Sequence, residues 1–130
     1  MNKGGIRSSA MDEEADSYAA ITAAVGQPYA LRQRKADRGL YVKFNKAWLA
    51  WFMIEKHQPR YERRDGLFRL GPAPSKVVTR TQLCEMIASD FREYLERYHE
   101  EDAPGVMAQL NDGILWTIMR EIMKFLQEKD

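Results

Sequence analysis

Histidine, cysteine and clustered carboxylates are the side chains that could perform acid–base, nucleophilic or metal chemistry in this chain. His57 and His99 are 42 positions apart, and neither has a Cys, Asp or Glu at the spacing of a metal site. The single cysteine, Cys84, lies one residue off an apolar stripe, where a buried thiol is the ordinary state. The sequence therefore predicts neither a metal site nor a cysteine nucleophile.

The carboxylates between positions 85 and 102 fall on the polar face of one amphipathic helix and just after it, where contact with water explains them. The sequence contains no GxxxxGK[ST] phosphate loop and no GxGxxG turn, so nothing indicates nucleotide hydrolysis. We expect a protein that is not an enzyme and that uses no cofactor.

Cations and aromatic rings provide a different chemistry, and they are concentrated in one part of the chain. Between positions 27 and 81, 13 Lys or Arg residues stand against four Asp or Glu, a net charge of +9. From position 81 onward, five Lys or Arg stand against 11 Asp or Glu, a net charge of −6. Phosphate backbones attract cations, and exposed bases stack on aromatic rings, so we expect nucleic acid as the partner, DNA ahead of RNA. The predicted contacts are Arg32, Arg34, Lys35, Lys43, Lys46, Arg60, Arg63, Arg64 and Arg69.

Two other partners fit the same charge pattern. The basic region could recognise an acidic protein, which would make the chain an adaptor or inhibitor, or it could meet the acidic helices of a second copy. Trp116 and Met119 lie beside the buried stripe of the last helix and indicate a partner surface there. The alternative for this pair is a helix that is buried on two sides.

Length and composition indicate one small domain. The chain has 130 residues, 45% of them hydrophobic, and no run of 18 apolar residues that would span a membrane. Its first residues lack the apolar stretch of a secretory signal, and one cysteine permits no internal disulfide, so we expect a cytoplasmic protein. Residues 1–27 are expected to form a flexible or loosely helical arm, and residues 28–130 a globular domain.

Local signals place the secondary structure of the first half of this domain. Residues 40–44 alternate between strand-forming types, and Asn45 offers a helix N-cap. In the helix that follows, Trp48 and Phe52 are assigned to the core, and Trp51 is left open between core and surface. The dipeptide Asp65-Gly66 between two short runs predicts a hairpin over residues 60–70.

The second half of the chain is predicted to be mainly helical. Residues 76–78 form a brief strand, and Thr79 with Gln82 makes a capping box at the start of a helix that reaches His99. A further helix begins near Asp102, and the sequence at 111–113 is expected to divide it.

These elements predict an α+β fold. A small antiparallel sheet, made of the strand at 40–44 and the hairpin at 60–70, would pack on three or four helices. A winged-helix arrangement with the hairpin as the wing is one form of this fold. Because the helix over 79–99 is acidic, a DNA major groove would repel it. We therefore expect phosphate contacts from a flexible basic arm just before the first strand, which holds Arg32, Arg34, Lys35 and Arg38, and from the helix over 45–57 and the hairpin.

The run from Leu40 to Phe125 resembles the region ahead of the ATPase core in phage- and plasmid-encoded primase-helicases of superfamily 3. The resemblance rests on the aromatic helix over 48–57, the Asp-Gly hairpin over 61–70, a capped helix and a second apolar helix. It implies an accessory module for the replication of a mobile element, which helps to hold DNA or to assemble a helicase. It carries over no catalytic residues, because the sequence has no counterpart of the ATPase core, and it implies a stand-alone protein or an excised domain.

Overall fold

The fold of the chain is α+β, as expected. A computed structural model describes residues 9–71 and 75–129, and in these ranges five helices accompany two antiparallel sheets. Residues 1–8 of the predicted arm lie outside the described residues. None of the described helices is both long and apolar enough to cross a membrane. The elements are α1 (Ser9–Val25), β1 (Tyr29–Gln33), β2 (Leu40–Phe44), α2 (Lys46–His57), β3 (Arg60–Glu62), β4 (Leu67–Leu70), β5 (Lys76–Val78), α3 (Arg80–Tyr98), α4 (Ala103–Gln109) and α5 (Asp112–Lys129).

Side-chain caps begin the helices where the sequence predicts them. The Asn45 side chain accepts a hydrogen bond from the backbone N–H of Trp48 at 3.1 Å, which satisfies an otherwise free donor of α2. At the start of α3, the Thr79 hydroxyl accepts from the Gln82 N–H, and the Gln82 amide oxygen accepts from the Thr79 N–H. The predicted Asn45 cap and capping box are therefore confirmed, as is the division of the last helical region into α4 and α5.

The predicted pairing of strand 40–44 with hairpin 60–70 is wrong, because these strands belong to different sheets. Strand β2 pairs with β1 in a two-stranded hairpin, and the predicted hairpin forms β3 and β4 of a three-stranded sheet that β5 completes. The two sheets flank α2 in the chain, and the 12 residues of this helix span about 18 Å.

The hydrophobic core forms around α2. Trp48 and Phe52 are fully buried, as predicted, and their rings stack with centroids 5.2 Å apart. Trp51, which the sequence left open, is half-buried and stacks on Phe125 at 4.9 Å. Cys84 is buried, and burial raises the pKa of its thiol, so a reactive thiolate is disfavoured there.

The helix α1 is part of this core. Tyr18 is buried with its ring edge-on to Tyr94 at a centroid distance of 5.2 Å, and the Trp48 indole N–H donates to the Thr22 hydroxyl at 2.9 Å. This helix, expected as a flexible or loosely helical arm, packs against α2 and places Tyr18 and Ile21 in the core.

Shortening Ile21 to Ala tests this docking, because Ile21 is buried between α1 and the core. We expect the free energy of unfolding in urea to fall by about 2–4 kcal/mol. The matched control is Ala23→Ser, on the exposed side of the same helix, which we expect to change it by no more than about 0.5 kcal/mol. Equal small effects of both changes would contradict the docking of α1.

Candidate nucleic-acid interface

The hairpin of β1 and β2 carries the first basic surface of the molecule. Residues 31–38 are all exposed, and the hairpin, residues 29–44, has five Lys or Arg against one Asp, a net charge of +4. This segment was expected to be a flexible arm before the first strand. The structure instead places Arg32 in β1, and Arg34 and Lys35 in the turn that follows.

Strand alternation divides the side chains of this hairpin between two faces. Val42 points inward and is buried, whereas Tyr41 and Lys43 on either side of it are exposed, Tyr41 by 47%. In the antiparallel register Arg32 lies directly opposite Tyr41, and Ala30 lies opposite Lys43. The outward face therefore combines two cations with an aromatic ring, and we call Arg32, Arg34, Lys35, Tyr41 and Lys43 the hairpin surface.

The Gln109 side chain attaches this hairpin to the body of the protein. Its amide oxygen accepts from the Val42 N–H at 3.0 Å, and its amide nitrogen donates to the Leu40 carbonyl at 2.6 Å. The side chain thus pairs with the free edge of β2 as a neighbouring strand would. On β1, the Tyr29 hydroxyl donates to Asp102 at 2.6 Å; burial and this carboxylate raise the tyrosine pKa and keep the donor protonated.

Asp37, the single acidic residue of the hairpin, makes two contacts within the turn. Asp37 accepts a hydrogen bond from the Gly39 N–H at 2.8 Å, and one of its oxygens lies 3.6 Å from the Arg34 Nε. Arg38 adopts a left-handed backbone with φ of 60°. An exposed ion pair of this kind is weak, so Arg34 remains able to exchange it for a phosphate.

Lys46, the first residue of α2, continues the positive surface at the base of the hairpin. It is exposed, and it lines a cleft of about 510 Å³ together with Lys43 and Glu121. The structure therefore brings Lys43 and Lys46 together.

A second basic surface lies on the three-stranded sheet and consists of Arg60, Arg63, Arg64 and Arg69. Arg63 and Arg64 are exposed in the β3–β4 turn, and Arg60 lies opposite Arg69 in the register. The nine predicted contacts are therefore divided between two surfaces, one before and one after the body of α2 in the chain.

Arg69 differs from its neighbours because it already has a partner. Its Nε donates to a Glu62 oxygen at 2.8 Å, and its Nη1 donates to the Ser75 hydroxyl at 3.3 Å. The hydrogen bond from Arg69 lowers the pKa of Glu62, so this carboxylate stays charged and paired to a lower pH than an ordinary glutamate. Arg69 is therefore the least available of the predicted contacts on this surface.

The two residues predicted as a partner surface on the last helix have different environments. Trp116 is 41% exposed, whereas Met119 is 1% exposed. Met119 cannot contact a partner in this conformation, because α5 packs against both α2 and α3. For Met119, burial of the helix on two sides is the correct alternative.

Each of the two histidines lies close to another polar side chain. The His57 Nε2 lies 2.6 Å from an oxygen of Asp90, and the Tyr94 hydroxyl lies 3.1 Å from the His99 Nε2. The first contact joins α2 to α3, whereas the second lies at the C-terminal end of α3. Within the described ranges no three His, Cys, Asp or Glu side chains are grouped to hold a metal ion.

Sequence reasoning missed two residues of the first hairpin. Tyr41 could have been found, because the alternation that predicts β2 already puts it on the same face as Lys43. Gln109 carries no such signal, since its contacts with Leu40 and Val42 cross nearly 70 positions of sequence.

Comparison of the chain with protein-family models, with curated proteins and with solved structures finds no match in any of the three. The resemblance to primase-helicases, and the role in replication that it implies, therefore stay predictions.

Replacement of Gln109 by Ala tests how the hairpin is held. We expect faster hydrogen exchange at the Val42 amide, which loses its acceptor, and a free energy of unfolding lower by about 1–2 kcal/mol. Gln127→Ala, at an exposed position near the end of α5, serves as the control and should leave Val42 exchange unchanged. Unaltered exchange at Val42 in the Gln109 variant would contradict this attachment.

Proposed function

We propose that the chain is a non-enzymatic nucleic-acid-binding module that grips the phosphate backbone with the hairpin surface and Lys46. The observation that carries this proposal is the exposed, outward face on which Arg32 and Lys43 flank Tyr41. Arg63 and Arg64, in the β3–β4 turn, add phosphate contacts from the second basic surface.

The arrangement of charge favours contacts with the phosphates of a nucleic acid over sequence-specific contacts with its bases. Within the described residues, the side chains of Arg32, Lys43 and Lys46 make no salt bridge, so phosphate binding would break no existing ion pair. Their binding to phosphates would release condensed counterions, which gives affinity without sequence preference. The exposed side of α3 carries the carboxylates of Glu85, Glu93 and Glu96. A phosphate-lined groove would repel them, so α3 is not suited to be a recognition helix.

An adaptor or inhibitor that binds an acidic protein is the second candidate. It is favoured by Leu31 and Leu40, which are 43% and 44% exposed on the opposite face of the same hairpin. Exposed leucines beside cations suit a partner that has both acidic and apolar side chains. Purification of a stoichiometric protein complex free of nucleic acid would favour this candidate.

A salt series with single-stranded DNA, duplex DNA and RNA tests nucleic-acid binding. We expect affinity to fall steeply with salt, and Arg32→Ala/Lys43→Ala to reduce the slope of log affinity against log salt by about 1.4 for single strands and about 1.8 for duplex. The matched control, Arg92→Ala/Arg120→Ala, removes the same charge from exposed positions on α3 and α5. Equal effects of the two double variants, or no binding to any probe at low salt, would contradict the proposal.

The ion pair of Arg69 with Glu62 gives a second test. Glu62→Gln removes a negative charge and frees Arg69 for phosphate, so we expect affinity to rise by about two- to fivefold, the scale of a surface ion pair. Arg64→Ala, at an exposed position, should weaken binding more than Arg69→Ala does. Unchanged affinity on Glu62→Gln, in a variant that remains folded, would show that the second basic surface takes no part.

A further inference from the structure

A cleft of about 540 Å³ opens between the end of α2, the strand β3 and the C-terminal part of α5. Its volume falls within the range of sites that hold small organic groups. Three aromatic side chains line it: Trp51, Tyr61 and Phe125. We call it the aromatic cleft.

The aromatic walls are held in place by contacts within the protein. Trp51 and Phe125 stack on each other at 4.9 Å with an angle of 24° between their planes. The Tyr61 hydroxyl accepts from an Arg80 nitrogen at 2.7 Å, and the same guanidinium lies 5.8 Å from the Tyr61 ring centre. A ligand would therefore meet preformed flat surfaces, which lowers the entropic cost of binding.

Two charged side chains of opposite sign also line the cleft. Arg60 and Glu55 are both exposed, and neither makes a salt bridge among the described residues. Arg60 is suited to a phosphate, whereas Glu55 would repel one and can accept hydrogen bonds from N–H groups. This pair of charges favours a flat, uncharged, polar group inside the cleft and an anion beside Arg60.

Gln58, which also lines the cleft, has an unusual backbone. It ends α2 in the left-handed region with φ of 46°, where glycine or asparagine is ordinary. Its side-chain amide makes no hydrogen bond within the described part of the chain and offers both donors and an acceptor. This backbone ends α2 with a hydrogen bond from the Gln58 N–H to the Ile54 carbonyl, and the exposed side-chain amide is open to a ligand in the cleft.

We propose that the aromatic cleft holds an unstacked base of a single-stranded nucleic acid, with Arg60 on the adjoining phosphate and Gln58 on the edge of the base. The proposal rests on the proposed function and deepens it, because it specifies a single strand over a duplex. Bases in a duplex are stacked and paired, so only a single strand can insert one without the cost of opening.

The test compares three probes: a 12-nucleotide thymidine strand, a 12-nucleotide strand of abasic residues with the same phosphates, and a 12-base-pair duplex. We expect the thymidine strand to bind about tenfold tighter than the abasic strand, the order expected for one stacked base. Tryptophan fluorescence should change with the thymidine strand and not with the abasic strand, because Trp51 lines the cleft.

Two variants and a control locate the base. Tyr61→Ala should weaken binding of the thymidine strand about tenfold and leave the abasic strand unaffected. Gln58→Gly should also weaken binding of the thymidine strand. It should raise the thermal midpoint of unfolding, because glycine adopts this backbone conformation without strain. If Tyr61→Ala does not fold, the Gln58→Gly variant alone tests the base site. The control, Tyr98→Ala, removes a partly exposed tyrosine on α3 and should not change the preference for bases.

The outcomes separate this inference from the proposed function. Equal affinity for the thymidine and abasic strands, unchanged by Gln58→Gly, would overturn the aromatic cleft as a base site. If Arg32→Ala/Lys43→Ala still weakened both strands in that case, backbone binding by the hairpin surface would stand. No binding to any of the three probes would overturn both.

Discussion

Burial of Trp48 and Phe52 on α2 determines how the other helices are placed. Their stacked rings meet Tyr18 of α1 and both Phe91 and Tyr94 of α3, with ring centres between 4.9 and 6.4 Å apart. Such aromatic pairs contribute beyond the area they bury, and this cluster joins three helices. Because α2 also packs against α5, its position fixes the interior of the described fold.

The central position of α2 also separates the two sheets. The first hairpin precedes its N-terminus, and β3 follows its C-terminus after Gln58 and Pro59. The two basic surfaces therefore belong to separate sheets. A long ligand such as a nucleic-acid strand could contact both, and the aromatic cleft adjoins the second of them.

The predicted cations differ in whether a carboxylate of the protein already binds them. Arg69 is held by Glu62, and Arg34 has a weak contact with Asp37, whereas Arg32 and Lys43 stand on an exposed strand face. The sequence alone does not show which of these four cations is free to bind phosphate. Hydrogen-bond geometry distinguishes them, because a paired guanidinium must give up its carboxylate before it can bind a phosphate.

The sequence by itself determined the features that depend on neighbouring residues. The Asn45 cap, the Thr79 and Gln82 capping box, the Asp65-Gly66 turn and the burial of Trp48 all follow from local spacing and residue type. Only the tertiary structure decided which strands pair, because β1 has a polar and basic sequence and gains its place by pairing with β2. The same holds for the docking of α1, the burial of Met119 and the aromatic cleft. Each depends on surfaces brought together from distant parts of the chain, and the period of one helix or strand carries no information about the partner that will cover it.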